Sequence, residues 1–422
     1  MMAIPASRLD LRPYIREHDR ILLGQGTAEP RTLTEVLMAQ AGDLPACRVF
    51  LGPTYSETFS PDAPEHLTFE SYGAIGKAAR LARAGRLEIY PTHFSALAEA
   101  IASRRLPVDS VMLPLRPSPD GRGYNLGIGR DIALMAARQA RYVLAEISPW
   151  LPLCHGGEID DDLPLATLVE AEYPPIELPQ QVPDETEQAV ARNVAAIIPD
   201  GAVLQIGVGA LPAAVLSALK HHRDLGFHSG AAIDGLVDLA ESGALTNRRK
   251  ERDTGISVAG LLLGSRRLYD YADRNPAIRL AGPEVTHAAQ YIAGLSRFHA
   301  INSALAVDLT GQVAAEEVDG RYVGAVGGQG DFTRAAALSP GGRSIIALPS
   351  TTRSGESRIV PRASVITTAR SDVDTVVTEH GVAELRYCSL NERVRRMIAI
   401  AAPEWREPLA RAWRDGKSVI ED

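Results

Sequence analysis

Short apolar runs rich in β-branched residues alternate along the chain with Ala- and Leu-rich stretches of helical period. In the second half the pattern predicts helices in TEQAVARNVAAII, PAAVLSALKHH and IDGLVDLAESG, and strands in AVLQIG, DLGFHS, ISVAGLLL, AINSALAVDL, SIIALP, SVITT and TVVTEHG. This alternation is typical of an α/β fold with parallel βαβ units and helices on both faces of the sheet. Because ligands of such sheets bind at the carboxyl ends of the strands, we expect function in the loops that follow them.

One motif occurs in both halves of the chain. ILLGQGTAEPRTLTEVL, with GQG at 24–26, and VLQIGVGALPAAVLSAL, with GVG at 207–209, share an apolar run, G-x-G, a proline and a helical pattern. RYVLAEI resembles RSIIALP in the same order, and VDS at 108–110 resembles INS at 301–303. These repeats predict two tandem, similar open-sheet α/β units with a functional site between them.

The predicted boundary between the units lies in a proline-rich stretch. EYPPIELPQQVPDE, residues 172–185, holds four prolines and no helical period, which is typical of an extended linker. We place the boundary near residue 184, so that the units span 1–183 and 184–422.

Composition and charge narrow the possible functions. The 422 residues are 45% hydrophobic and 23% charged, with a net charge of −8, which argues against a general nucleic-acid binder. The start, MMAIPASRLDLRPY, lacks the apolar core of a signal peptide, and no apolar run is long enough to span a membrane. The three cysteines are far apart and the ten histidines show no metal spacing, so we expect no metal and a reducing cytoplasm.

Two glycine-rich loops are candidate ligand sites. Residues 205–209 end a predicted strand and begin a predicted helix. In one interpretation their backbone N–H groups hold a phosphate at the start of the helix. In the other, they form a tight turn that packs the helix on the sheet. Pro212 replaces the third glycine of a dinucleotide fingerprint, so NAD binding is not expected. Residues 324–330 contain four glycines, which predicts either a loop with N–H groups aimed at a developing oxyanion or a mobile surface turn.

Longer segments carry a family resemblance. LQIGVGALPAAVLSAL, DLGFHSGAAIDGLVDLAESGALTN, INSALAVDLTGQV, GGQGDFTRAAALSPGGRSIIALPST and VVTEHGVAELR resemble the acetyl-CoA hydrolase/transferase family, within the class I CoA-transferases. The resemblance implies two α/β units with the active site between them, a small-molecule acyl-CoA substrate and a homodimer. It implies coenzyme A contacts from Gln205, Ile206, Gly207, Val208 and Gly209, and a thioester carbonyl beside Gly327 and Gly328.

The chain departs from the family at the position of its nucleophile. The family's glutamate lies in a segment resembling H-T-E-M-x-S-D-G, where this chain reads His228-Ser229-Gly230-Ala-Ala-Ile-Asp234-Gly235. Gly230 therefore stands at the glutamate's position. A glycine has no carboxylate to attack an acyl-CoA and form the glutamyl-CoA intermediate.

Three hypotheses follow from Gly230. In the first, the enzyme uses water or a base on the acyl-CoA, by hydrolysis or a related reaction, and the candidate bases are His228, His93 and Glu57. In the second, a displaced carboxylate such as Glu57 supports ordinary CoA transfer. In the third, the protein binds CoA esters and is catalytically silent. Three arginines either bind a carboxylate of the acyl group or face solvent, namely Arg353, Arg358 and Arg370.

Overall fold

The computed structural model describes residues 2–121, 123–159, 162–318 and 320–418. Eight strands of the first half form one sheet, with the spatial order β4-β3-β2-β1-β5-β7-β8 and with β6 antiparallel to β5. These strands are β1 Arg20–Leu23, β2 Cys47–Phe50, β3 Leu67–Ser71, β4 Leu87–Ile89, β5 Ser110–Pro117, β6 Tyr124–Asn125, β7 Tyr142–Ile147 and β8 Leu165–Glu170. The helices of this half are α1 Arg31–Ala39, α2 Ala78–Arg83, α3 Phe94–Ala102 and α4 Ile132–Ala137.

A second eight-stranded sheet has the order β12-β11-β10-β9-β13-β18-β20-β21, and its last pair is antiparallel. Its strands are β9 Val203–Ile206, β10 Gly226–Ala232, β11 Ser257–Leu262, β12 Ile278–Leu280, β13 Phe298–Ser303, β18 Arg343–Ala347, β20 Thr375–Thr378 and β21 Gly381–Glu384. Two small sheets contain β14 Ala306–Asp308, β15 Val313–Ala314 and β19 Ile359–Val360, and β16 Glu317–Val318 with β17 Arg321–Tyr322. The helices are α5 Glu185–Ile197, α6 Ala210–Ala218, α7 Gly235–Glu241, α8 Arg266–Ala272, α9 Pro283–Thr286, α10 Ala289–Ile292, α11 Gln329–Leu338, α12 Leu390–Ala399 and α13 Pro403–Ser418.

The two large sheets share one topology. In each, the first strand lies in the middle, strands two to four extend to one side, and the fifth begins the other side. The order therefore reverses between β1 and β5 and again between β9 and β13, and ligands of open α/β sheets bind beside such a reversal. The prediction of two similar α/β units is confirmed.

Alternation of apolar side chains explains why helices cover both faces of the first sheet. Ile21 of β1 packs in one core with Leu33 of α1. Leu22, the next residue, packs on the opposite face with Leu97 of α3. Consecutive side chains of a strand point to opposite faces, so a continuous apolar strand needs cover on both.

The halves also pack directly on each other. The segment 128–130 of the first half runs antiparallel to β11, with Arg130 N–H donating to Gly260 O at 2.8 Å and Leu262 N–H donating to Ile128 O at 2.8 Å. Ile128 joins the core of the second half, where it packs with Leu261. This contact fixes the carboxyl end of β11 against the first half.

Some local predictions were wrong. SVITT forms no strand and makes a single bridge between Val313 and Thr368, and AINSALAVDL divides into β13 and β14. The similarity of VDS to INS does not reflect equivalent positions, because 110 begins β5 whereas 303 ends β13. RYVLAEI and RSIIALP do form the equivalent strands β7 and β18. Across the described residues, no helix combines the length and apolar character needed to cross a bilayer.

Candidate active site

A cavity of about 200 Å³ lies between the halves at the carboxyl ends of β9 and β10. The first half contributes Tyr72, Phe94 and Asp131 to its wall, and the second half contributes the ends of its strands and the start of α11. A neighbouring cavity of about 340 Å³ shares Val208 and Leu263 with it. The position matches the reversal of strand order in the second sheet.

The glycine-rich segment 324–330 is held by the first half. Ala74 N–H donates to Gly324 O at 2.9 Å, and Phe94 N–H donates to Gly327 O at 3.0 Å. α11 begins at Gln329, so the N–H groups of its first turn, which a helix leaves unused, lie beside the cavity. Gly324 and Gly327 thus accept hydrogen bonds from the first half, which argues against the alternative of a mobile surface turn.

An imidazole occupies the space next to Gly230. A Cβ atom at Gly230 would lie 2.7 Å from His287 Cε1 and 2.9 Å from His287 Nε2. A Cβ at Gly328, on the other side, would lie 2.7 Å from the same Nε2. The rings of Phe94 and Phe332 enclose this imidazole, with centroid separations of 4.7 and 4.6 Å. Two glycines and two aromatic rings together make the space for His287.

Hydrogen bonds determine which nitrogen of His287 carries the proton. Thr286 Oγ1 lies 3.1 Å from Gly282 O, a carbonyl that only accepts, so the hydroxyl donates there. Thr286 Oγ1 therefore accepts from His287 Nδ1, at 2.9 Å. Burial, with a smaller effect of His228, lowers the pKa of His287 to about 3. The imidazole is thus neutral, and its Nε2 carries a lone pair.

Asp131 brings a carboxylate into the cavity from the first half. Its oxygens accept the N–H of Ala133 at 2.6 Å, which caps α4, and the N–H of Gln25 at 3.2 Å. Burial raises the pKa of Asp131 to about 6, against those two hydrogen bonds. Arg130, beside it, donates to Gly260 O, and a Cβ at Gly260 would lie 2.7 Å from Gly230 O. A short chain of contacts therefore joins Asp131 to Gly230.

Comparison with known proteins decides the family. The 4-hydroxybutyrate coenzyme A transferase of Clostridium kluyveri is 33% identical over 402 residues, 94% of this chain and 94% of that protein. The chain belongs to the acetyl-CoA hydrolase/transferase family. The family description "Acetyl-CoA hydrolase/transferase C-terminal domain" matches residues 264–413.

Further relatives of the acetyl-CoA hydrolase/transferase family agree. The acetyl-CoA hydrolase of Yarrowia lipolytica is 30% identical over 282 residues, 62% of this chain and 50% of that protein. The crystal structure of RipA from Yersinia pestis superposes with a TM-score of 0.89 at 33% identity, covering 96% of this chain and 95% of RipA. The chain is thus an enzyme of the CoA-transferase and acyl-CoA hydrolase kind, and the family acts on CoA thioesters.

Most of the residues that the family resemblance suggested for coenzyme A line the cavity. They are Gln205, Ile206, Gly207, Val208, Gly327 and Gly328, while Gly209 lines the neighbouring cavity. Gln205 is held by Asn302, since the two side-chain amides exchange hydrogen bonds of 3.3 and 3.1 Å. The structure brings these residues together, and their contact with coenzyme A stays a prediction.

His228 lies outside the cavity lining and is fully buried. Its Nε2 donates to Val285 O at 3.2 Å, and its ring stacks on Tyr291 with a centroid separation of 5.4 Å. Burial, and then the charge of Lys250, lower the pKa of His228 to about 3. A side chain packed in this way does not reach a substrate in the cavity, which argues against its predicted role as base.

The other two predicted bases also lie outside the cavity lining. Glu57 is 60% exposed and pairs with Lys77 and Arg80, and the hydrogen bond from Lys77 lowers the pKa of Glu57. The ring of His93 packs on Gly330, where a Cβ would lie 2.4 Å from His93 Cε1. We therefore find Glu57 in a surface ion pair and His93 in the contact between the halves.

The three arginines also lie outside the cavity lining. Arg353 is exposed, Arg358 donates to Ala304 O at 3.3 Å, and Arg370 donates to Thr310 Oγ1 at 3.1 Å. His287 and Asp131 were not predicted from the sequence. Asp131 precedes the apolar run IALMAA and could have been recognised as a helix cap, whereas the segment around His287 matches no motif.

Proposed function

We propose that this enzyme acts on an acyl-CoA without a glutamyl-CoA intermediate, by hydrolysis or another water- or base-driven reaction. The observation that carries the proposal is the imidazole of His287 beside Gly230, at 2.7 Å from the place of a Cβ atom. A glutamate side chain at this position would need the space that His287 fills. No carboxylate therefore reaches the thioester from residue 230.

The surroundings of Gly230 support chemistry on a thioester. The first turn of α11, after Gly327 and Gly328, offers backbone N–H groups to an oxyanion. One preorganised donor of this kind is typically worth about 3–4 kcal/mol of transition-state stabilisation. The apolar wall, which includes Ile75, Phe94 and Leu261, suits an acyl chain. The neighbouring cavity, lined by Tyr55 and Gly209, gives the rest of coenzyme A a route to solvent.

A second candidate is CoA transfer through a displaced carboxylate. Glu57, the predicted group, is exposed and paired with cations, so it does not support this function. Asp131 does support it, because its carboxylate lies in the cavity and comes from the opposite half. Its two backbone hydrogen bonds favour a fixed carboxylate over one that forms an anhydride.

The two functions differ in their products and in their covalent state. We expect wild-type protein mixed with a panel of acyl-CoAs to release free thiol, with no dependence on an acceptor carboxylate such as acetate. Hydroxylamine or borohydride treatment should modify no carboxylate in the protein. Modification of Asp131, detected by peptide mass spectrometry, would support transfer instead. Calorimetric binding of coenzyme A without any turnover would indicate a silent binding protein.

A substitution at Gly230 tests whether His287 fills the space beside this residue. We expect Gly230→Glu alone to lose stability by about 1–3 kcal/mol, since overpacking of this size costs that much, and to show no transfer. The double variant Gly230→Glu/His287→Ala removes the imidazole and should form an acyl-enzyme that hydroxylamine traps. A stable and transfer-competent single variant would contradict the proposal.

A homodimer and a cytoplasmic location stay predictions, and sedimentation of the purified protein tests the first.

A further inference from the structure

His287 differs from the other buried histidines in its position, since the Nδ1 of His228 also has no hydrogen-bond partner among the described residues but lies away from the cavity. His228 and His299 each use one nitrogen on a backbone carbonyl, and both lie outside the cavity lining. His287 lies in the cavity wall, and within the described part of the chain nothing hydrogen-bonds its Nε2. The Nε2 lone pair can therefore accept a hydrogen bond from a donor that enters the cavity.

We propose that His287 is a catalytic residue, whose Nε2 accepts a hydrogen bond from a water molecule and takes its proton as that water attacks the thioester. This inference rests on the proposed function. Thr286 is a positioning residue, because its hydroxyl keeps the proton on Nδ1 and leaves the Nε2 lone pair toward the cavity. The imidazole thus stands at the place of the absent carboxylate and activates water in its stead.

The reaction balances in two steps. First, the water oxygen bonds to the thioester carbon, the carbonyl electron pair moves to oxygen, and the water proton passes to Nε2. Second, the oxyanion re-forms the carbonyl, the carbon–sulfur bond breaks, and the imidazolium returns its proton to the leaving thiolate. The sum is acyl-CoA plus water giving a carboxylic acid and free coenzyme A, with His287 restored to its neutral form.

The surroundings of His287 suit the second step especially well. Burial between Phe94 and Phe332 lowers the pKa of His287 to about 3, so its imidazolium is a strong acid toward a thiolate whose pKa is about 8.5. The same burial makes the neutral ring a weak base, so the first step depends on the oxyanion that forms beside the imidazolium and balances its charge. The titratable groups near the ring are His228, a buried residue of β10, and Asp131, which lines the same cavity.

The decisive variants are His287→Phe, which keeps an aromatic ring between Phe94 and Phe332, and His287→Gln, which is smaller and polar. With the acyl-CoA that wild type hydrolyses fastest, we expect kcat to fall by about 100-fold or more in both, with KM changed less than about threefold. Thr286→Val should lower kcat by about tenfold. The control is His221→Gln, an exposed histidine just after α6, which should match wild type. Thermal unfolding and calorimetry with coenzyme A verify that each variant folds and binds.

A second readout does not depend on turnover. Nitrogen-15 spectra of labelled histidine, compared between wild type and His287→Phe, should show His287 protonated at Nδ1 and not at Nε2. A third readout does use turnover. The value of kcat should stay level from pH 5 to 8, because His287 is neutral throughout this range.

Three results would overturn the proposal. They are a proton on Nε2, unchanged kcat in a folded His287→Phe, and a pH limb near 6 that Asp131→Asn removes. If wild type releases no thiol from any acyl-CoA, the proposed function fails together with this inference. If wild type hydrolyses but the His287 variants do too, only the inference fails.

Discussion

Each half has a glycine loop at the equivalent point of its own large sheet. Gly24 follows β1 and donates its N–H to Met112 O of β5 at 2.9 Å. Gly207 follows β9 and donates to Ile301 O of β13 at 3.2 Å. These hydrogen bonds are equivalent, because β5 and β13 are the fifth strands of their sheets. The two loops therefore occupy equivalent positions in the two sheets. Differences between them show what each half contributes.

The space around the two loops is very different. A Cβ at Gly24 would lie 2.2 Å from Ala28 O, whereas a Cβ at Gly207 would meet nothing nearer than Pro212 Cγ at 3.8 Å. The residue between the glycines follows the same rule, since Gln25 is 1% exposed and Val208 is 44% exposed. One loop is packed full and the other is open.

The packed loop joins the halves, and the open loop faces the cavity. Thr27 Oγ1, in the first loop, donates to Leu262 O of β11 at 2.6 Å, and Gly26 abuts Leu263. In the second loop, Gly207 and Val208 line the cavity. Two copies of one sequence motif have therefore divided into a structural contact and a candidate binding site, and only the available space distinguishes them.

Alanine at the two equivalent glycines is the strongest test of this division. Gly24→Ala should lower the free energy of unfolding by about 3 kcal/mol or more, because its Cβ would overlap a backbone oxygen. Gly207→Ala should change stability by less than about 1 kcal/mol, since its Cβ has room, and should weaken coenzyme A binding instead. Urea unfolding and calorimetry on both variants give the four numbers needed. Equal stability losses would mean that the loops do not differ as described.

A smaller effect is expected where the packed loop meets the cavity. Asp131 accepts Gln25 N–H from that loop, and burial raises the pKa of Asp131 from 3.8 to about 6. The folded state therefore holds this proton more tightly than the unfolded state, so the contribution of Asp131 to stability is greatest below pH 4 and is lost as pH rises through 6. Asp131→Asn lacks this titration.

The expected result is a gain for Asp131→Asn relative to wild type that grows from pH 4 to pH 7, to at most about 3 kcal/mol. Unfolding of both proteins across this pH range measures it. Glu17→Gln serves as the control, because Glu17 is exposed and lies outside the cavity lining. A difference that stays constant with pH would show that Asp131 is not buried as a charge.

The sequence predicted the two α/β units but not which side chains line the cavity between them. Apolar alternation and the G-x-G motif indicated two α/β units, because period and turn residues are local properties. The sequence also indicated that Gly230 stands at the position of the family's glutamate, yet not that His287 fills the space beside it. α9, which precedes His287, has only four residues and is placed by packing against β10, so no local pattern reports that contact. The same limit explains why His228, only two positions from Gly230, was predicted as a base although it lies outside the cavity lining.

The smallest expected effect on stability concerns the hydrogen bonds between α3 of the first half and α11 of the second half. Ser95 of α3 donates to Asp331 of α11 through Oγ at 2.6 Å and through its backbone N–H at 3.0 Å. Ser95→Ala keeps only the second bond, which should cost about 1–2 kcal/mol of stability because the acceptor is a carboxylate. Ser103→Ala, at the exposed end of the same helix, should cost much less. Since Asp331 lies in the first turn of α11, coenzyme A affinity should also fall in Ser95→Ala; unchanged stability and affinity would mean that this contact does not hold the glycine loop.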